Sequence, residues 1–372
     1  MQFFVNIFWN RDQRRTRALW RLVGQLILLV VLVLPTQLAI ALVAFVMLLF
    51  QGGITPGQLS DPAVMQKVFG SQDMQALITT SPFLMMFSTL LVLVAVLVSV
   101  WLAGRFLDRR PFANFGFHLG RNWWIDLGYG LGLGAFLMLL IFLAELAFGW
   151  VTVTGTLVTR DPDATFLAAI LAPLFMFVAV GIYEELFSRG YQLQNMAEGL
   201  NLKAIGPRGA IVMATLLSSA VFGLLHMTNP NASLVSTFNI FLAGVLILAM
   251  GYILTGELAI PIGVHITWNF FQGNVFGFPV SGGDFGSATV IGIQQGGPVL
   301  WTGGAFGPEA GLIGLLAMLL GGLLIALWVG WRYGRARLYM ALAEAPVRPG
   351  QELTQSAPSP SEEMVDEGGG AT

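Results

Sequence analysis

Two adjacent carboxylates, Glu184 and Glu185, stand with Arg189 at the end of a stretch without charge from Ala164 to Tyr183. An ionisable group at membrane depth costs about 2.5–3.5 kcal/mol on insertion scales, which makes it a candidate functional residue by default. On a helix the two acids point about 100° apart and meet different neighbours. Glu185 and Arg189 are spaced i,i+4 with the acid first, the favourable order for an ion pair. That pairing leaves Glu184 to face a cavity. Two of the chain's three histidines lie on later apolar stretches. His226 closes Phe222-Gly-Leu-Leu-His226, and His265 opens His265-Ile-Thr-Trp-Asn269, where His and Asn share a helix face. Each group also has a structural use: a helix-end salt bridge, a satisfied histidine, an interhelical hydrogen bond worth roughly 0.6 kcal/mol. Together they can support two chemistries. One is water activation by a carboxylate acting as general base, with His and Asn donors stabilising an oxyanion. The other is a zinc site, with Glu184, His226 and His265 as ligands and a fourth position open to water. The tight HExxH spacing of many zinc sites is absent, so the reading without a metal is preferred.

Composition puts these groups in a membrane. Of 372 residues, 56% are hydrophobic and 10% charged, against roughly 25% charged in a soluble domain. The expected fold class is all-α, a polytopic membrane helical bundle. A net charge of −2 gives no reason to expect nucleic acid as a partner, and the absence of cysteine excludes disulfides and thiol chemistry. Arg11, Arg14, Arg15, Arg17 and Arg21 precede an uncharged run reaching Ser60. That run exceeds the roughly 7–15 residues of a signal-peptide core.

A requirement of about 20 apolar residues per crossing gives eight spans. They cover about 23–50, 83–104, 124–148, 165–188, 209–227, 233–254, 258–276 and 310–331. The first contains Pro35, which should kink it, and the third carries Gly128, Gly130, Gly132 and Gly134, a spacing that lets helices approach closely. The loop between the first two spans has room for a short surface helix. Residues 190–207 read as an interfacial helix. The Lys and Arg distribution places both termini in the cytoplasm. The resulting organisation has a basic cytoplasmic N-terminus (1–22), three membrane helices (23–160) and a catalytic core of four (161–276). A glycine-rich loop (277–308), a last membrane helix (309–335) and a disordered cytoplasmic tail (336–372) follow. In this topology Glu184 and His265 lie near the cytoplasmic ends of their spans and His226 toward the far side. The three meet only if the break at Asn229-Pro230-Asn231 lies within the membrane, lining a cavity.

Glu184-Glu185…Arg189, Phe222…His226 and His265…Asn269, in that order, resemble the EExxxR, FxxxH and HxxxN signatures of the CAAX-processing and bacteriocin-processing family of intramembrane endopeptidases. The resemblance covers about 165–276. It implies that Glu184 is the water-activating base, that His226 helps orient the water, and that His265 and Asn269 form the oxyanion hole. Glu185 and Arg189 would be supporting residues, with Phe222 part of the second signature. The implied substrate is a membrane-embedded or lipid-anchored peptide. Two other functions stay in view: a non-catalytic membrane scaffold or immunity factor of the same fold, and a transporter in which the stretch Gly303-Gly-Ala-Phe-Gly-Pro-Glu309, with Asp126 and Glu145, lines an ion path.

Overall fold

A computed structural model describes residues 7–346 except 12, 51–55, 70–76, 79–80 and 161–164; most of the expected tail, 347–372, lies outside the described residues. Among the described residues seven helices are long and apolar enough to cross a membrane. The first is α1 (Ala18–Phe50), which runs through Pro35. A short helix α2 (Pro62–Phe69) occupies the following loop, as the polar and apolar mixture there leads one to expect. Next come α3 (Pro82–Ala103) and α4 (Arg121–Ala147). The fourth joins α5 (Phe166–Glu185), a π segment Leu186–Leu193 and α6 (Gln194–Leu200) into one helix of 35 residues. The fifth contains α7 (Gly206–Leu225). The sixth joins α8 (Leu234–Ala243) through a π turn to α9 (Ala249–Thr255).

The eighth expected span is α10 (Ala259–Phe270), twelve residues continued by a five-residue π turn Phe271–Val275. It is about 25 Å long and falls short of the other seven. Its residues from Ala259 to Ile266 are all buried. A helix apolar around its whole circumference belongs in a core, and α10 packs against α4, α5 and α9. Its closest neighbour is α4. A Cβ on Gly130 would lie 2.4 Å from the Ile260 carbonyl oxygen, and one on Gly134 would lie 2.4 Å from Thr267 Oγ1. Gly128 and Gly132 meet nothing within 4 Å, so only one face of the glycine series makes the contact. The chain closes with α11 (Val299–Thr302) and α12 (Leu312–Tyr333).

Several expectations need correction. Residues 190–200 are not a separate interfacial helix: Tyr191, Leu193, Gln194, Asn195 and Ala197 are buried in the continuation of α5. Glu184 therefore lies in the middle of a long helix and not near its end. Residues 336–346, expected in the tail, dock instead: Tyr339 N–H donates to the Ile253 carbonyl at 2.8 Å, and the Asn201 amide to that of Ala343 at 2.9 Å. The arginines read as topology signals also serve packing. Arg15, Arg21 and Arg110 converge on Glu198, and Arg21 also meets Asp108 at 3.1 Å. A small hairpin, β1 (Trp9–Asn10) and β2 (Arg15–Thr16), presents Arg15 to this network. At the opposite end, β3 (Val151–Thr159) pairs antiparallel with β4 (Ala288–Gln295). Thus the 277–308 loop holds a strand, α11 and short 3-10 turns.

Candidate active site

Gly181 brings α5 against α10; a Cβ there would lie 2.7 Å from Ile266 Cγ1. One turn later Glu184 and Glu185 reach His265. Glu185 is fully buried, and a single oxygen, Oε1, accepts from Arg189 Nη1 at 3.0 Å and from His265 Nδ1 at 2.7 Å. Arg189 is as deeply buried and lies in the π segment directly after α5, the kind of helical irregularity often found at functional sites. Its Nη2 donates to the Gly244 carbonyl at 3.5 Å, and its guanidinium stacks 4.4 Å above the Phe222 ring, a cation–π contact. Phe222 in turn lies 4.6 Å from the His226 ring and 6.3 Å from the His265 ring, edge-on to the latter. Phe222 is the apolar spacer between the cation and the two imidazoles.

The hydrogen bonds fix the imidazole protons. His226 Nδ1 lies 2.8 Å from the Phe222 carbonyl oxygen, which can only accept, so Nδ1 carries hydrogen and a neutral ring keeps its Nε2 lone pair free. His265 Nδ1 likewise donates to the Glu185 carboxylate, while its Nε2 lies 3.8 Å from Glu184 Oε2.

His226, His265 and Asn269 line one cavity of about 460 Å³, counting its open mouth, together with Phe222. Ile247, Leu248, Val264 and Met318 form its apolar wall. Glu184 is not part of that lining. It is one-quarter exposed and stands beside His265, its Oε2 3.8 Å from Nε2. Two further polar residues of the lining arrive from the glycine-rich segment: Ser281, which sequence reasoning missed, and Glu309, which it placed on an ion path and not in this site. The Asn229-Pro230-Asn231 break meets this loop: the Asn229 amide donates to the Ser281 carbonyl at 3.0 Å and that of Asn231 to Gly282 at 3.3 Å. The break thus lies under a cap that forms one side of the cavity.

Among the described residues no three His, Cys, Asp or Glu side chains are grouped to hold a metal ion. Two carboxylates of the transporter reading, Asp126 and Glu145, are engaged elsewhere. Asp126 accepts from Trp328 and Tyr333 at 2.9 and 2.6 Å, and Glu145 from Gln295 at 3.1 Å. The third histidine, His118, is bonded to Glu257 at 2.8 Å.

Residues 166–271 match a model of type II CAAX prenyl endopeptidase Rce1-like proteins. That match covers less than half of the chain. The match spans all three polar signatures, from before Glu184 to just past Asn269. The chain is also similar to the uncharacterized protein YyaK of Bacillus subtilis (strain 168), 26% identical over 206 residues. That alignment covers 54% of this chain and 64% of the relative, under two thirds of its length. No solved structure gives a significant match. The seven long apolar helices among the described residues, three of them within the matched segment, make this an integral multi-pass membrane protein.

Proposed function

We propose that the chain hydrolyses a peptide bond of a membrane-embedded or lipid-anchored substrate, with water activated by Glu184 and without a metal. The observation that carries this reading is the double engagement of His265. Its Nδ1 is held by Glu185 and its Nε2 is free to donate, while His226 and Asn269 line the same cavity. Glu184 takes a proton from water as the water oxygen attacks the scissile carbonyl carbon. The Nε2 lone pair of His226 accepts the water's other hydrogen and orients it. Negative charge then develops on the carbonyl oxygen, where His265 Nε2–H and the Asn269 amide donate. Glu184 returns its proton to the amine as the C–N bond breaks, leaving a carboxylate and a free amine.

For His265 to donate from both nitrogens, its ring must carry both protons. Glu184, Glu185, Arg189 and His265 then form a group of two negative and two positive charges. Such balance is what a low-dielectric interior demands of buried ions. Glu185 and Arg189 act as positioning residues that hold His265. Both termini are assigned to the cytoplasm on the arginine distribution.

Asn269→Ala tests the oxyanion role. Losing one such donor lowers turnover by roughly 10²–10³. The loss should fall on kcat with KM little changed, because the bond forms mainly in the transition state. The assay is steady-state cleavage of a fluorogenic membrane-anchored peptide in proteoliposomes. A variant with intact kcat and raised KM would assign Asn269 to substrate binding instead.

A further inference from the structure

The cavity carries an acid that water activation does not use. Glu309 comes from the turn Pro308–Ala310 before α12, outside residues 166–271. It is 3% exposed. One of its oxygens accepts from the Ser281 N–H and the other from the Gln272 side-chain amide. Gln272 lies one turn beyond Asn269 and also donates to the Pro279 carbonyl at 2.6 Å, which ties Glu309 to the helix bearing His265. Gly307, at φ +118°, makes room for this contact; a Cβ there would lie 2.6 Å from Glu309 Oε2 and 2.7 Å from Gln272 Nε2.

Among the described residues these partners are neutral, and no arginine or lysine pairs with Glu309. Burial pushes its carboxyl up to about 7. Near neutral pH Glu309 is therefore only partly ionised, and its charged form has no counter-charge beside walls built from Ile247, Leu248 and Met318. A buried charge of this kind is stabilised by a cation that can reach it. The two existing donors use one lone pair on each oxygen and leave a second on each.

We propose that Glu309 is a specificity residue that receives a cationic group of the bound peptide, either a lysine or arginine side chain or a free amino terminus. The inference rests on the cavity being the substrate site. It adds a polar subsite, supplied by the glycine-rich cap, to the reaction centre supplied by α5, α7 and α10.

The test needs no substrate turnover. Decylammonium and decanol have the same tail and differ in charge, and their equilibrium binding to the full chain in zwitterionic nanodiscs can be compared per mole fraction in the lipid. Wild type is expected to bind decylammonium at least about tenfold more tightly, the preference that one charge-assisted hydrogen bond provides. Glu309→Gln should remove the difference. If that variant does not fold, dicyclohexylcarbodiimide labelling of wild type gives a second readout: Glu309 should be modified, with protection by decylammonium and not by decanol. Equal binding of the two probes by wild type, or discrimination that survives in Glu309→Gln, overturns the assignment; so does labelling that decylammonium leaves unprotected. Discrimination that persists in a protein unable to cleave any anchored peptide counts against the endopeptidase reading and leaves the subsite standing.

Discussion

Glu184→Gln is expected to lower turnover by roughly 10²–10⁴, the usual contribution of a positioned general base, while leaving the fold intact. Glutamine keeps the shape of the side chain but cannot take the proton from water. The fold should tolerate the change because Glu184 is one-quarter exposed and its nearest ionic partner, His265 Nε2, is 3.8 Å away. The measurement is kcat on a membrane-anchored peptide, with thermal unfolding in detergent as the control for folding. Turnover close to that of wild type in a folded variant would remove Glu184 from the chemistry.

The adjacent acid should behave in the opposite way. Glu185→Gln leaves Arg189 fully buried without its charge partner, and breaking a buried pair from one side costs about 3–5 kcal/mol. It also releases His265 Nδ1 from the carboxylate that holds it. The expected outcome is a protein that unfolds at markedly lower denaturant and is inactive where it still folds. Reversible unfolding in mixed micelles reads this directly. If Glu184→Gln destabilises and Glu185→Gln only slows the reaction, the two roles must be exchanged.

The parts of this structure that could be read from sequence are those with a local signature. Apolar runs located seven long helices and the shorter α10, and charge placement drew attention to Glu184, Glu185 and Arg189. The glycine spacing on α4 foretold a close helix contact, although only geometry distinguishes Gly130 and Gly134, which face α10, from Gly128 and Gly132, which do not. What escaped was non-local. Glu198 is polar and follows an apolar span, so it reads as interfacial; its arginine partners at 15, 21 and 110 are far away in sequence. The β3 segment Val151–Thr159 alternates Val and Thr, a strand signal on propensity, but its partner lies some 130 residues later. Glu309 stood out as an acid before a span, but its place beside His226 and His265 was hidden for a similar reason. It sits in a glycine-rich segment without periodicity, and its place in the cavity depends on backbone turns that place Gly307 against Pro279 and Gln272.

The central claim is that this cavity cuts a peptide bond with a glutamate-activated water and no metal. The most direct test is cleavage of a membrane-anchored CAAX-type peptide by wild-type protein in proteoliposomes, after exhaustive chelation and with bound metal quantified. The account predicts a defined cleavage product, seen by mass spectrometry, from protein holding far less than one metal ion per chain. An inactive apo-protein that recovers with one equivalent of zinc would contradict it, and Glu184, His226 and His265 would then be reread as metal ligands.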